Sequence, residues 1–231
     1  MKTIGLLGGM SWESTTTYYT MINQEVHRRL GGHHSAKLCL YSVDFDEIER
    51  LQHLGDWSKT AEILGEAAEG IERCGADFLL ICTNTMHKIA PEIEARLHIP
   101  LVHIADATAE AVVAKGVETV GVLGTKFTME EDFYKGRLED KFGLKVLVPE
   151  EPDRNLVHKV IYDELCLGRV EDASRNEYLR IIDTLRKKGA EGVILGCTEI
   201  ALLVKQEHTS VPLFDTTKLH AMKAVEWALS D

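Results

Sequence analysis

The stretch Gly189–Glu199, GAEGVILGCTE, is an apolar run that ends on a cysteine and turns at once through two polar residues. A counterpart lies 114 positions earlier, at Gly75–Thr85, GADFLLICTNT. In both, a Gly-Ala-acid triplet opens a short apolar run closed by small polar residues. A run of that length between turn signals reads as a strand buried on both faces, as in a parallel sheet. Placing one copy over the other sets Thr83 opposite Cys197, Asn84 opposite Thr198 and Thr85 opposite Glu199. Two equivalent strand ends therefore present a hydroxyl and a thiol.

The repeat extends outward. Lys2–Gly8, KTIGLLG, recurs as Glu118–Gly124, ETVGVLG, at an offset of 116. The helix-and-strand block Ala68–Cys82 recurs as Ile182–Gly196 at 114, and Ile99–Ile104 as Val211–Thr216 at 112. Three blocks in one order point to an internal duplication, with a period far too long for a solenoid. The first half reads as strand Thr3–Gly8, a helix to about Leu30 stopped by Gly31-Gly32, and strand Lys37–Val43. There follow a loop with one helical turn over Asp44–Gln52, helix Ser58–Cys74, strand Asp77–Cys82, helix Met86–Leu97 and strand Ile99–Ile104. Strands alternating with helices imply mostly parallel sheets covered on both faces. The expected architecture is α/β, with two pseudo-symmetric doubly wound domains and the active site in the cleft between them. Residues 1–104 would form the first domain, completed by a C-terminal helix over 217–231, and residues 105–216 the second.

The 231 residues carry 45% hydrophobic and 27% charged side chains, an ordinary composition for a globular chain able to bury a core. No apolar run approaches the roughly 20 residues of a membrane helix, and Met1–Ile4 enters a strand without a leader pattern. The five cysteines lack CxxC spacing, so neither a disulfide framework nor a metal site is expected. A reduced, cytoplasmic protein is the expectation. The net charge of −11 argues against nucleic-acid partners, and it means that an anionic ligand must be held by local donors.

Ligands of open parallel sheets bind at the carboxyl ends of strands. Four turns fall there: Gly8-Gly9-Met10, Thr83-Asn84-Thr85, Gly124-Thr125-Lys126 and Cys197-Thr198-Glu199. Gly5–Met10, GLLGGM, has neither dinucleotide nor P-loop spacing and reads as a tight turn that lets a small ligand approach the backbone. Free N–H groups at the following helix starts suit a carboxylate, and a thiol placed there is expected to have a lowered pKa. Cys39, Cys74 and Cys166 read as small buried hydrophobes. Strand alternation turns Cys82 away from the face that Thr83 presents, so Cys197 is the thiol expected to do chemistry. His87 and His220 are candidates to support these groups, and Asp215 reads as a turn residue.

GLLGGM, TNTMH at Thr83–His87 and GCTE at Gly196–Glu199 together resemble the aspartate/glutamate racemase family of cofactor-independent amino-acid racemases. The similarity spans essentially the whole chain, including LGTKFTME at Leu123–Glu130, and is greatest to an enterobacterial branch of broad-specificity or L-aspartate/glutamate-specific racemases. The resemblance implies a homodimer with a small amino-acid substrate, no cofactor and no metal. It also implies two opposed groups, because inverting Cα takes one base and one acid. Cys197 matches the family's second cysteine, whereas the first position is Thr83. A threonine hydroxyl is a far weaker acid than a thiol, so an asymmetric enzyme is expected, faster from one enantiomer. Asn84, Thr85 and Thr198 would hold the α-carboxylate, Glu199 the α-ammonium, with Met10 and Gln52 lining the site. Where dicarboxylate-specific relatives carry an arginine and a lysine, this chain has Ile48 and Cys166, so a neutral substrate side chain stands beside aspartate and glutamate. A maleate-isomerase-like or decarboxylase-like enzyme and a non-catalytic amino-acid-binding protein are the alternatives.

Overall fold

The computed structural model describes residues 1–230. Its first sheet is built on β1 (Ile4–Gly8), every residue of which is buried. β1 pairs in parallel with β2 (Leu38–Ser42) and β3 (Phe78–Ile81), giving the order β2-β1-β3. The helices of this part are α1 (Trp12–Leu30), α2 (Phe45–Leu54), α3 (Trp57–Arg73) and α4 (Ala90–Glu94). Alternation along the strands sorts the core into two layers. Leu7, Leu79 and Ile81 pack with Leu64, Ala68 and Ile71 of α3. Ile4, Leu6, Phe78, Leu80 and Cys82 pack with Tyr18, Ile22 and Val26 of α1 and with Ala221, Ala224 and Val225 near the chain end.

α5 (Ile104–Ala114) leads to the second sheet, ordered β5-β4-β6-β7 and parallel throughout. Its strands are β4 (Thr119–Gly124), β5 (Lys145–Leu147), β6 (Gly192–Gly196) and β7 (Leu213–Asp215). The intervening helices are α6 (Lys126–Glu130), α7 (Asp132–Phe142), α8 (Glu151–Asp163), α9 (Asp172–Lys187) and α10 (Ile200–Leu203), and α11 (Thr216–Leu229) closes the chain. The second sheet thus runs through its strands in the order the first uses, with β4, β5 and β6 as counterparts of β1, β2 and β3. The chain divides into two compact units, Met1–Ile104 with the chain from His220 on, and Ala105–Leu219.

Three local expectations are corrected. Asp44–Gln52 is not a loop but most of α2, a ten-residue helix. Asp44 caps it through Asp46 N–H, Ile48, Leu51 and Gln52 are its buried face, and Gly55 ends it at φ 71°. The helix expected over Met86–Leu97 is a 3₁₀ turn, Thr85–Ile89, running into α4 with Pro91 in its first turn. The strand expected over Ile99–Ile104 shrinks to one parallel bridge, Leu79 to Leu101. Leu79 N–H donates to Pro100 O and Val102 N–H to Leu79 O. Pro100 has no N–H to extend the ladder, and α5 begins at Ile104.

Candidate active site

In the second unit the site grows from the end of β6. Gly196 pairs with Gly124 of β4, and a Cβ there would stand 3.0 Å from Leu123 O and 3.2 Å from Thr128 Cγ2. Only glycine lets the two strand ends approach so closely, and this holds the next residue, Cys197, in a buried turn. Cys197 Sγ donates to Glu199 Oε2 at 3.0 Å, and Thr198 Oγ1 donates to the same oxygen at 2.6 Å. Glu199 is itself only 4% exposed. The Cys197 thiol is pushed well above its ordinary pKa, first by burial, then by the Glu199 charge and by Cys166, with one backbone N–H of Glu199 acting in the opposite sense. The expected lowering is therefore reversed. The helix that follows, α10, has only four residues, and the nearest formal charge is negative. The resting group is a neutral thiol at proton-transfer distance from a carboxylate.

In the first unit β3 runs out into Cys82, which is fully buried in the layer under α1. Its N–H donates to Leu7 O and its carbonyl accepts from Ser14 Oγ at 3.0 Å. Burial alone drives the Cys82 thiol far up, so it stays protonated core. The half-buried Thr83 follows, with Asn84 and Thr85 both buried. His87 fixes this turn. Ile104 N–H donates to its Nε2 at 3.2 Å, so that nitrogen carries a lone pair. The proton is on Nδ1, which donates to Thr83 O at 2.8 Å. His220 is equally set: Nε2 donates to Val102 O at 2.7 Å and Nδ1 accepts from Tyr18 Oη at 2.8 Å. Burial lowers the His220 pKa to about 4. Both histidines are buried and structural rather than solvated.

The turn after β1 needs Gly9, at φ 94°, whose N–H donates to Thr15 Oγ1 at 2.8 Å. Met10 is buried in the core beside it. The donors expected to be free at helix starts are partly engaged: Ser14 N–H donates to Ser11 Oγ and Thr128 N–H to Thr125 Oγ1. Gln52 is only 3% exposed and its Oε1 has no hydrogen-bond partner. Ile48 points into the core and presents no polar group. Cys74, expected to be buried, is exposed at the end of α3, and its carbonyl accepts from the buried Cys39 thiol at 3.4 Å. Cys166 lies in the 3₁₀ turn Leu165–Leu167 and is partly buried. Among the described residues no cluster of His, Cys, Asp or Glu is arranged to hold a metal ion, and no helix is long and apolar enough to cross a membrane. Sequence reading missed the Glu199 contact to Cys197, whose only signal was a carboxylate two positions beyond a strand-end thiol.

Two parallel units of one strand order, one ending a strand on a thiol held by a carboxylate, make this a duplicated α/β protein. Residues 7–224 match the family model described as Asp/Glu/hydantoin racemase, and the chain belongs to that family. It is 22% identical to the broad specificity amino-acid racemase RacX of Bacillus subtilis, over 98% of each chain. The crystal structure of a candidate Asp/Glu racemase from Yersinia pestis is similar at 53% identity and TM-score 0.94, covering 100% of both chains. An aspartate racemase homologue from Pyrococcus horikoshii is similar at 36% identity and TM-score 0.84, again over 100% of both.

Proposed function

We propose that this chain, an amino-acid racemase by family, inverts Cα with Cys197 and Thr83 as its two proton carriers. The observation that supports the reading most is the Cys197–Glu199 contact of 3.0 Å at the end of β6. Cys197 as thiol delivers a proton to one face of a planar carbanion. Glu199 then receives the proton when Cys197 must serve as thiolate for the reverse direction. Thr83, held through its carbonyl by His87, serves the other face as a weaker partner, alone or through water. Both transfers are assigned to side chains, and the mechanism calls for no cofactor. Asn84, Thr85 and Thr198 take the α-carboxylate, and Met10 lines the site. The unpartnered Gln52 Oε1 accepts from the α-ammonium, because a buried acceptor left empty carries a desolvation penalty of about 1–3 kcal/mol. Glu199, already accepting twice, supports Cys197 in addition to any contact with substrate. Aspartate, glutamate and amino acids with smaller neutral side chains form the substrate class. The active form is a homodimer, as the family resemblance implies, and the five free cysteines suit a reduced, cytoplasmic setting.

The test is a screen of enantiopure amino acids for deuterium uptake at Cα in heavy water. Uptake with at least one amino acid is expected, lost by a factor of about a thousand or more in Cys197→Ala. Exchange that survives Cys197→Ala overturns the assignment, and tight amino-acid binding with no exchange identifies a binding protein instead. Loss of CO₂ without inversion identifies a decarboxylase. Initial rates should differ markedly between enantiomers, and Thr83→Cys should raise the slower direction. Equal rates in the unaltered enzyme would remove Thr83 as the weak partner.

A further inference from the structure

A cavity of about 360 Å³ opens in the second unit among α5, α10, β7 and the start of α11. Leu195, Val204 and Phe214 give it an apolar lining, and Lys115, Lys205 and Lys218 stand around it. None of Cys197, Thr198, Glu199 or Cys166 lines it, so it is separate from the thiol cluster. Lys115 Nζ lies 5.2 Å from the centre of the Phe214 ring, which places one ammonium directly over an aromatic wall. None of the three lysines forms an ion pair among the described residues, in a chain whose net charge is −11.

The lining has one carboxylate, Asp215, whose pKa is raised by burial, against the opposing pull of two backbone N–H groups and the Lys218 ammonium. Asp215 accepts the backbone N–H of Lys218 at 3.1 Å and that of Thr217 at the first turn of α11. Three cations against one engaged carboxylate leave the concavity positive, and low-dielectric walls focus that field inward. An apolar lining with a few convergent charges is the composition of a small-molecule site. The shape takes a flat apolar body, and the charge takes an anion.

We propose that this cavity is a second ligand site, for a small organic anion with an apolar or aromatic body, such as an aryl-alkyl carboxylate. The carboxylate pairs with the lysine ammonium groups while the ring lies against Phe214 and Leu195.

Calorimetric titration of the intact protein with 3-phenylpropionate tests this, with 3-phenylpropanamide and inorganic phosphate as comparison probes. Lys115, Lys205 and Lys218 are all exposed, so the combined variant K115Q/K205Q/K218Q should keep its fold, checked by circular dichroism and melting temperature. Saturable millimolar or tighter binding of 3-phenylpropionate is expected, weaker by about tenfold or more in the triple variant. The neutral amide and phosphate should each bind by about tenfold less, since each lacks one of the two features. Equal binding of the amide removes the anion requirement, and equal binding of phosphate removes the apolar one. Undiminished binding in the triple variant places the carboxylate elsewhere, including the site of Cys197. Absence of saturable binding in the unaltered protein also overturns the proposal. Should the triple variant unfold, the single variant K115Q carries the comparison, because its ammonium is the one seated over Phe214.

Discussion

Cys197 is held between two demands. As a thiol it is stable where it sits, because burial and the Glu199 charge both oppose the thiolate. In the proposed mechanism it must nevertheless ionise to act as a base. Removing the charge while keeping an acceptor, in Glu199→Gln, should move the Cys197 titration to lower pH. The pH dependence of alkylation by iodoacetamide reads this, and an unmoved midpoint would show that Glu199 does not control the thiol. The sign also bears on turnover. The direction in which Cys197 starts as base should speed up as pH rises through the neutral range into the alkaline, whereas the direction in which it starts as acid should not. Gln52 makes a simpler prediction. Gln52→Leu removes an orphaned buried acceptor and should raise KM by about tenfold with a smaller change in kcat, together with equal or greater thermal stability. Register alone set Thr83, rather than Cys82, opposite Cys197, and the structure agrees to the extent that Cys82 is buried in the layer under α1. What register could not supply was the sign of the Cys197 shift, because that depends on how deeply the turn is buried and on a carboxylate folding back over it.

Single elements explain the remaining gaps between expectation and structure. Strands β1, β3, β4 and β6 were readable because unbroken apolar runs leave no choice of face. α2 was not, since only three of its ten residues are buried and Asp44 and Gly55 are turn residues until a helix is known to lie between them. The short pairing at Leu101 was overread for the opposite reason: the run is apolar, yet Pro100 withholds the N–H a longer ladder needs. The 3₁₀ turn after Thr83 owes its shape to His87, which joins Thr83 O to Ile104 N–H. His87→Phe should therefore lower kcat by about tenfold or more with KM little changed, and His87→Gln should restore part of it; equal loss in both would reduce His87 to a packing residue. Gly196→Ala forces a methyl against β4 and should cost about 1–3 kcal/mol in urea unfolding. His220 supplies a pH signature. Its pKa falls to about 4 from an ordinary 6.5, so the unfolded chain takes the proton first. Stability is complete above about pH 6.5 and is lost as pH falls toward 4, by about 3 kcal/mol in full. Urea denaturation at pH 7 and pH 4.5 should show a smaller loss in His220→Gln than in the unaltered protein.

At the scale of the molecule, the duplicated strand order was visible in the drifting offsets of the repeat, because each copy conserves the apolar spacing its sheet requires. A homodimer predicts a sedimentation mass of twice 25.8 kDa, and a single-chain mass would remove that part of the proposal. The two units differ in one respect that the repeat conceals. Ala105–Leu219 is an unbroken segment, whereas the unit that holds Thr83 includes the chain from His220 on. Ala221, Ala224 and Val225 cover Ile4, Leu6 and Leu80, so a core begun by the first strand is closed by the last helix. During synthesis from the amino end, the thiol-bearing unit can fold as soon as it clears the ribosome, while the earlier-made unit waits. The unit that carries Thr83 is thus completed only once the segment from His220 on has been made, and a nascent chain stalled short of His220 would carry Cys197 while that unit is still open.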